Sequence, residues 1–131
     1  GFVVNHLVSY IDMYNTNVKS ILTIIELSIS GEKTMKPIHF TSSISALTRS
    51  PIYGNGYGGS KWAADQILKY CREKYNLPVF IYRPCLISGS RITGQINRKD
   101  WFHRLLQAIV DFKLIPPVEK DCGLNIIASD Y

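Results

Sequence analysis

The chain has no cysteines at metal or redox spacing, no long apolar run and no block of like charge. Its three cysteines, Cys71, Cys85 and Cys122, are odd in number and far apart in 131 residues. There is no C-x-x-C and no Cys/His pair at zinc spacing. Free thiols in a reducing cytoplasm are therefore expected. No apolar run reaches the ~18 residues of a membrane span, and the first residues lack the charged-then-apolar layout of a secretory leader. Net charge is +5, but the basic residues are scattered, so a solvated basic surface is expected and nucleic acid is not. His6, His39 and His103 show no ligand spacing, and no metal is expected.

Hydrophobic residues make up 46% of the chain and charged residues 19%, the balance of an ordinary soluble domain with a core. Val18, Ile21, Leu22, Ile25, Leu27 and Ile29 recur at near-helical spacing, which predicts a helix starting near Asp12 or Asn15 and stopped by Gly31. Ile38 to Thr41 reads as a short strand reaching Ser42 and Ser43, and Ala46 to Gly59 as a loop. A second helix is expected from about Tyr57 to Tyr75, with Trp62, Ala63, Ile67, Leu68 and Cys71 as its inner face. Val79 to Tyr82 is a continuous apolar run of the buried parallel-strand kind. Ser88 to Asn97 reads as a loop, Asp100 as the cap of a helix over Trp101 to Phe112, and Leu124 to Ile127 as a last strand. Strands alternating with helices predict an α/β fold with a parallel sheet.

The chemistry gathers between Phe40 and Asp65. Thr41, Ser42 and Ser43 end an apolar run, and Tyr57 and Lys61, four residues apart, fall on one face of the helix they open. A free tyrosine titrates near ~10, too high for easy proton transfer at neutral pH. A lysine ammonium one turn away favours the phenolate. A serine delivered beside the pair would complete a proton-donating site for a carbonyl oxygen. Pro84, Cys85 and Ile87 follow the end of a strand, where ligands bind in such sheets; strand-to-loop packing is the alternative. Gly54 to Gly59 formally matches G-x-G-x-x-G, but Pro51 and polar residues precede it where a buried strand is required. Those glycines instead are expected to let a loop pass close to ligand and free Tyr57. Tyr70 and Lys74 repeat the Tyr-x-x-x-Lys spacing with no serine-bearing strand before them, and Tyr70 is expected to serve surface or boundary packing.

Ser43 with Tyr57-x-x-x-Lys61 resembles the signature of the short-chain dehydrogenase/reductase superfamily. The wording Gly56-Tyr57-Gly58-Gly59-Ser60-Lys61-Trp62 resembles the thioester reductase domains of nonribosomal peptide synthetases, carboxylic acid reductases and aminoadipate reductases. Asn17-Val18, Ser42-Ser43-Ile44-Ser45, Tyr82-Arg83-Pro84, Thr93-Gly94 and Leu124-Asn125 resemble further motifs of those domains, in the same order. Ser20-Ile21 and Ala128-Ser129 depart from the pattern.

The resemblance implies a Rossmann-like domain using NADPH to reduce an acyl or peptidyl thioester on a phosphopantetheinyl carrier protein. The product is an aldehyde, and further reduction to an alcohol is left open. It implies Ser43, Tyr57 and Lys61 as the catalytic triad, with Tyr57 and Lys61 also binding the cofactor and Lys61 reaching the nicotinamide ribose. It implies Asn17 in a proton relay, with a helix cap as the alternative, and places Pro84, Cys85 and Ile87 on the nicotinamide side. The glycine-rich first βαβ unit of such a domain is not found, so residues 1–131 are expected to be a partial domain, cut at both ends and completed by an N-terminal part. Two other readings remain: an extended reductase acting on a sugar nucleotide or hydroxysteroid-like substrate, and an inactive fragment serving as an interaction module. Arg91, Arg98 and Lys99 are candidates for an acidic carrier protein, against a solvated loop.

Overall fold

The computed structural model describes residues 8–31, 34–47, 56–115, 117 and 123–131. They fall into two units, one ending at Arg83 and one starting at Pro84.

The first unit opens with a helical stretch made of α1 (Tyr10–Tyr14), a π-helical turn (Asn15–Lys19) and α2 (Ser20–Ile29). It starts earlier than the periodicity predicts. The Ser9 hydroxyl accepts from the Asp12 N–H at 3.3 Å and donates to the Asp12 carboxylate at 2.6 Å. Asp12 is therefore the third-residue partner of a cap, not the cap itself. The alternative reading of Asn17 as a helix cap also falls, because Asn17 is buried inside the π-helical turn.

Strand β1 (Ile38–Thr41) pairs in parallel with β2 (Val79–Tyr82), Ile38 opposite Val79 and Thr41 opposite Tyr82. A 3-10 turn (Ile44–Leu47) and α3 (Gly56–Tyr75) lie between them in sequence. Both strands match the apolar runs read from the sequence, and α3 begins one residue before Tyr57. The two ends of the expected loop are helical (Ala46 and Leu47 in the 3-10 turn, Gly56 to Gly59 in α3), and residues 48–55 lie outside the described residues. Asn76, with φ of 52°, ends α3 in the left-handed conformation that asparagine tolerates.

Alternation along the strands decides which face is buried. Ile38, Phe40, Val79 and Ile81 turn toward a core that contains Ile21, Ala64, Leu68 and Leu77. His39, Thr41, Phe80 and Tyr82 are exposed on the other face, where the His39 ring stacks on Phe80 and its Nδ1 lies 2.8 Å from the Tyr82 hydroxyl.

The buried side of α3 differs from the expected one. Gly56, Ser60, Ala64 and Leu68, four residues apart, form a row on it with Gly58 and Asp65. Of the expected inner face only Leu68 is fully buried; Trp62, Ala63, Ile67 and Cys71 are half-buried flanks. Small residues bring backbones close together, and a count of large apolar side chains passes over them.

In the second unit β3 (Leu86–Ser88) pairs in parallel with β4 (Ile126–Ala128), Leu86 opposite Ile126. Strand β3 has only three residues, one of them a serine, and had no signal as a strand. Strand β4 lies about two residues beyond its expected start. The loop after β3 is tied down by Asp130. Its carboxylate accepts from the Ser90 hydroxyl at 2.8 Å and the Arg91 N–H at 3.1 Å. The Arg91 and Ser90 hydrogen bonds, in that order, hold the Asp130 carboxyl below the usual carboxylate range. Arg91 itself is exposed and pairs with Asp130, while Arg98 and Lys99 are exposed.

Helix α4 (Trp101–Phe112) starts at Asp100, as its sequence predicts, with the Asp100 carboxylate accepting from the Phe102 N–H at 2.9 Å. Phe102 is the buried residue of this helix, so the cap also fixes what anchors it. Asp100→Ala is expected to cost about 1 kcal/mol, read as a lower denaturant midpoint at unchanged slope. Cys71 and Cys85 are free thiols, and Cys122 lies outside the described residues. Among the described residues no helix is long and apolar enough to cross a membrane.

Candidate active site

The first turn of α3 and the end of β1 bring the predicted catalytic pair together. Tyr57 is half-buried in that turn, and Lys61 follows one turn later. The Lys61 ammonium donates to the Thr41 carbonyl at 2.9 Å. It lies 6.0 Å from the centre of the Tyr57 ring and 5.1 Å from that of Phe40. Among the described residues, two of the three ammonium N–H groups are left over after the Thr41 bond. Burial lowers the Lys61 pKa from its ordinary value, and the Asp65 carboxylate one turn on raises it in part.

Ser43 is half-buried, two residues beyond Thr41 and just before the 3-10 turn, which packs against α3. Its hydroxyl accepts from the Ser45 N–H at 3.2 Å. Strand β1 therefore carries both the carbonyl that holds Lys61 and, beyond its end, the predicted serine.

Asn17 reaches this region from the π-helical turn. Its side-chain amide donates to the Ser60 hydroxyl at 3.0 Å, and that hydroxyl donates to the Tyr57 backbone carbonyl at 2.9 Å. A buried chain of hydrogen bonds thus runs from the π-helical turn to the backbone of Tyr57. π-helical turns frequently mark functional sites, and this one directs a polar side chain into an otherwise apolar contact.

The glycines before and after Tyr57 are helical, not a loop laid over ligand. A Cβ on Gly56 would meet the Val8 carbonyl oxygen and stand 2.5 Å from the Ser9 carbonyl carbon. What Gly56 lets pass closely is the chain in front of α1.

Asp65 is missing from the sequence prediction. It is fully buried, and its Oδ2 accepts from Arg83 Nε at 2.9 Å and from an Arg83 terminal nitrogen at 2.6 Å. The sequence offers only a carboxylate four residues after the lysine on the same helix; that this position is buried is visible only in the structure. Its partner, Arg83, directly follows strand β2.

Pro84, Cys85 and Ile87 belong to the second unit. Pro84 and Cys85 are half-buried ahead of β3, and Ile87 is exposed within it, paired with Ile127. Tyr70 is exposed, as expected, and its hydroxyl takes a hydrogen bond from Lys74 at 2.6 Å.

Comparison with known proteins gives these residues their setting. The NAD-binding family described as male sterility protein matches residues 45–131. The chain is 26% identical to a carboxylic acid reductase of Mycobacterium tuberculosis over 136 residues, covering 87% of this chain and 12% of that protein. It is 29% identical to a carboxylic acid reductase of Segniliparus rugosus, covering 88% and 11%. Over 76 residues it is 40% identical to the L-2-aminoadipate reductase large subunit of Eremothecium gossypii, covering 58% and 5%. The chain thus spans about an eighth or less of the length of these relatives. By this match the chain belongs to the NAD-binding male sterility protein family, as an oxidoreductase domain of the extended short-chain dehydrogenase/reductase type.

Proposed function

We propose that this chain carries the catalytic part of a thioester reductase domain. In it, Tyr57, Lys61 and Ser43 act on the carbonyl of an acyl or peptidyl group held as a thioester on a carrier protein's phosphopantetheine arm. The observation that supports this most is the placing of Lys61: half-buried, bonded to Thr41, beside Tyr57, with N–H groups to spare. Those N–H groups fit a nicotinamide ribose hydroxyl, and the Phe40 and Tyr57 rings supply apolar surface beside it. The names of the relatives support reduction at the carboxylic acid level.

NADPH, when bound, supplies the hydride. The residues of this chain do the rest. Ser43 donates a hydrogen bond to the carbonyl oxygen as charge grows there, and Tyr57 gives that oxygen its proton. The Lys61 ammonium stabilises the tyrosine oxygen as the proton leaves. Asn17, acting through Ser60, holds the backbone of Tyr57 in place. The resulting hemithioacetal loses the thiol and leaves an aldehyde. Pro84, Cys85 and Ile87 are proposed to line the nicotinamide side, and a preceding glycine-rich part of the domain to hold the pyrophosphate.

The test is to mix the full-length protein with NADPH and an acyl thioester and follow both NADPH and aldehyde. Equal molar consumption and release are expected. Oxidation of NADPH only with another carbonyl substrate, such as a nucleotide sugar, would overturn the thioester reading.

A further inference from the structure

We propose that Asp65, clamped by Arg83, is a positioning residue that keeps the Lys61 ammonium charged and seated on the Thr41 carbonyl beside Tyr57. The inference rests on the reading of Tyr57 and Lys61 as the reacting pair.

Residues four apart on a helix are neighbours, with Cβ atoms about 5–6 Å from each other. Tyr57, Lys61 and Asp65 are three such positions in a row, so the carboxylate is the next group along the face that carries the reacting pair.

Burial is the second step. Asp65 is fully buried, and an acidic side chain in that position needs a partner. Arg83 supplies it, with both contacting nitrogens on the same oxygen, Oδ2. The other oxygen, Oδ1, has no hydrogen-bond partner among the described residues. The guanidinium therefore anchors the carboxylate without saturating it.

Strand alternation fixes the anchor's direction. The Ser42 N–H donates to the Tyr82 carbonyl at 2.7 Å, so the pairing continues past the last ladder positions. The face that carries Phe40 and Ile81 then carries Ser42 and Arg83 next. Ser42 is buried, and its hydroxyl is the second buried polar atom without a partner among the described residues. The ends of both strands thus present polar groups to the helix turn that holds Lys61 and Asp65.

Charge completes it. Burial acts against the Lys61 ammonium, and Asp65 acts for it. Among the described residues, the other elements packed against α3 bring nothing comparable. Asp12 of α1 is exposed and bonded to Ser9. Lys19 of the π-helical turn and Glu26 of α2 are exposed. Tyr82 of β2 lies on the opposite sheet face with His39. The 3-10 turn has no ionisable side chain.

The experiment follows acetylation of Lys61 against pH by mass spectrometry in the full-length protein, for wild type, Asp65→Asn and the double variant Asp65→Asn/Arg83→Gln. The double variant replaces the ion pair by two amides that still hydrogen-bond, so it keeps the test open where the single variant does not fold. Lys61 is expected to become reactive at lower pH in either folded variant, and more so in Asp65→Asn, which leaves the Arg83 charge unpaired, and the alkaline limb of kcat/KM is expected to move with it. A purely structural Asp65 would lower activity evenly and leave the Lys61 midpoint in place, and that result would overturn the proposal. A shifted midpoint in a protein that turns over no thioester would uphold the role of Asp65 and reject the proposed function.

Discussion

Tyr57→Phe in the full-length protein is expected to lower kcat for thioester reduction by about 10²–10⁴-fold, the range of a lost general acid. The change removes one oxygen atom. The ring stays, and with it the side chain's packing in the first turn of α3, where Tyr57 is half-buried. The hydrogen bond that holds this turn is made by the Tyr57 backbone carbonyl, not its side chain, so the substitution leaves it intact. The Lys61 bond to Thr41 is also independent of the hydroxyl. NADPH affinity and the denaturation midpoint should therefore change little while the chemical step fails. Single-turnover aldehyde release, with a cofactor titration beside it, separates the two. Unchanged release in the variant would sink the assignment of Tyr57 as proton donor.

How much of this was legible from sequence depended on the kind of signal each residue sends. Strands β1 and β2 are visible as short runs rich in apolar residues, although only Ile38, Phe40, Val79 and Ile81 turn to the core while Phe80 and Tyr82 are exposed. Tyr57 and Lys61 share a face by helix geometry alone. Asp100 shows itself because a capping carboxylate sits just before an apolar run. By contrast, the apolar spacing only places the helix start near Asp12 or Asn15; the role of Asp12 as the partner of Ser9 appears only when the cap is seen. Strand β3 gave no signal: three residues are too few to establish a period. Asp65 and Ser60 were passed over for a common reason. A pattern of large apolar residues finds where a helix is greasy, whereas this helix, Leu68 apart, is buried where it is small or polar. The polar positions are tolerated because each has a specific partner, Arg83 for Asp65 and Asn17 for Ser60. Such partners are 18 and 43 residues away in sequence, beyond the reach of any local pattern.

Gly56→Ala puts that close packing to the test. The added methyl carbon would stand 2.5 Å from the Ser9 carbonyl carbon and 2.7 Å from its oxygen, with the Val8 oxygen also in the way. These are backbone atoms just ahead of α1, so no side-chain rotation relieves the overlap. Either the segment before α1 moves out or the start of α3 does. Overpacking of this kind costs about 1–3 kcal/mol, and the variant should unfold at correspondingly lower denaturant. The effect on chemistry should be larger than that loss alone implies, because Tyr57 is the next residue. A displacement of about 1 Å at a reacting group can cost 10²-fold in rate. The Ser60 bond to the Tyr57 carbonyl and the Asn17 bond to Ser60 would be drawn along with it. Folded Gly56→Ala protein, assayed well below its melting temperature, is thus expected to keep NADPH binding and lose most of its kcat. Normal kcat in a destabilised variant would mean that the helix start yields without moving Tyr57. The chain of hydrogen bonds from Asn17 would then serve stability and not the placing of the tyrosine.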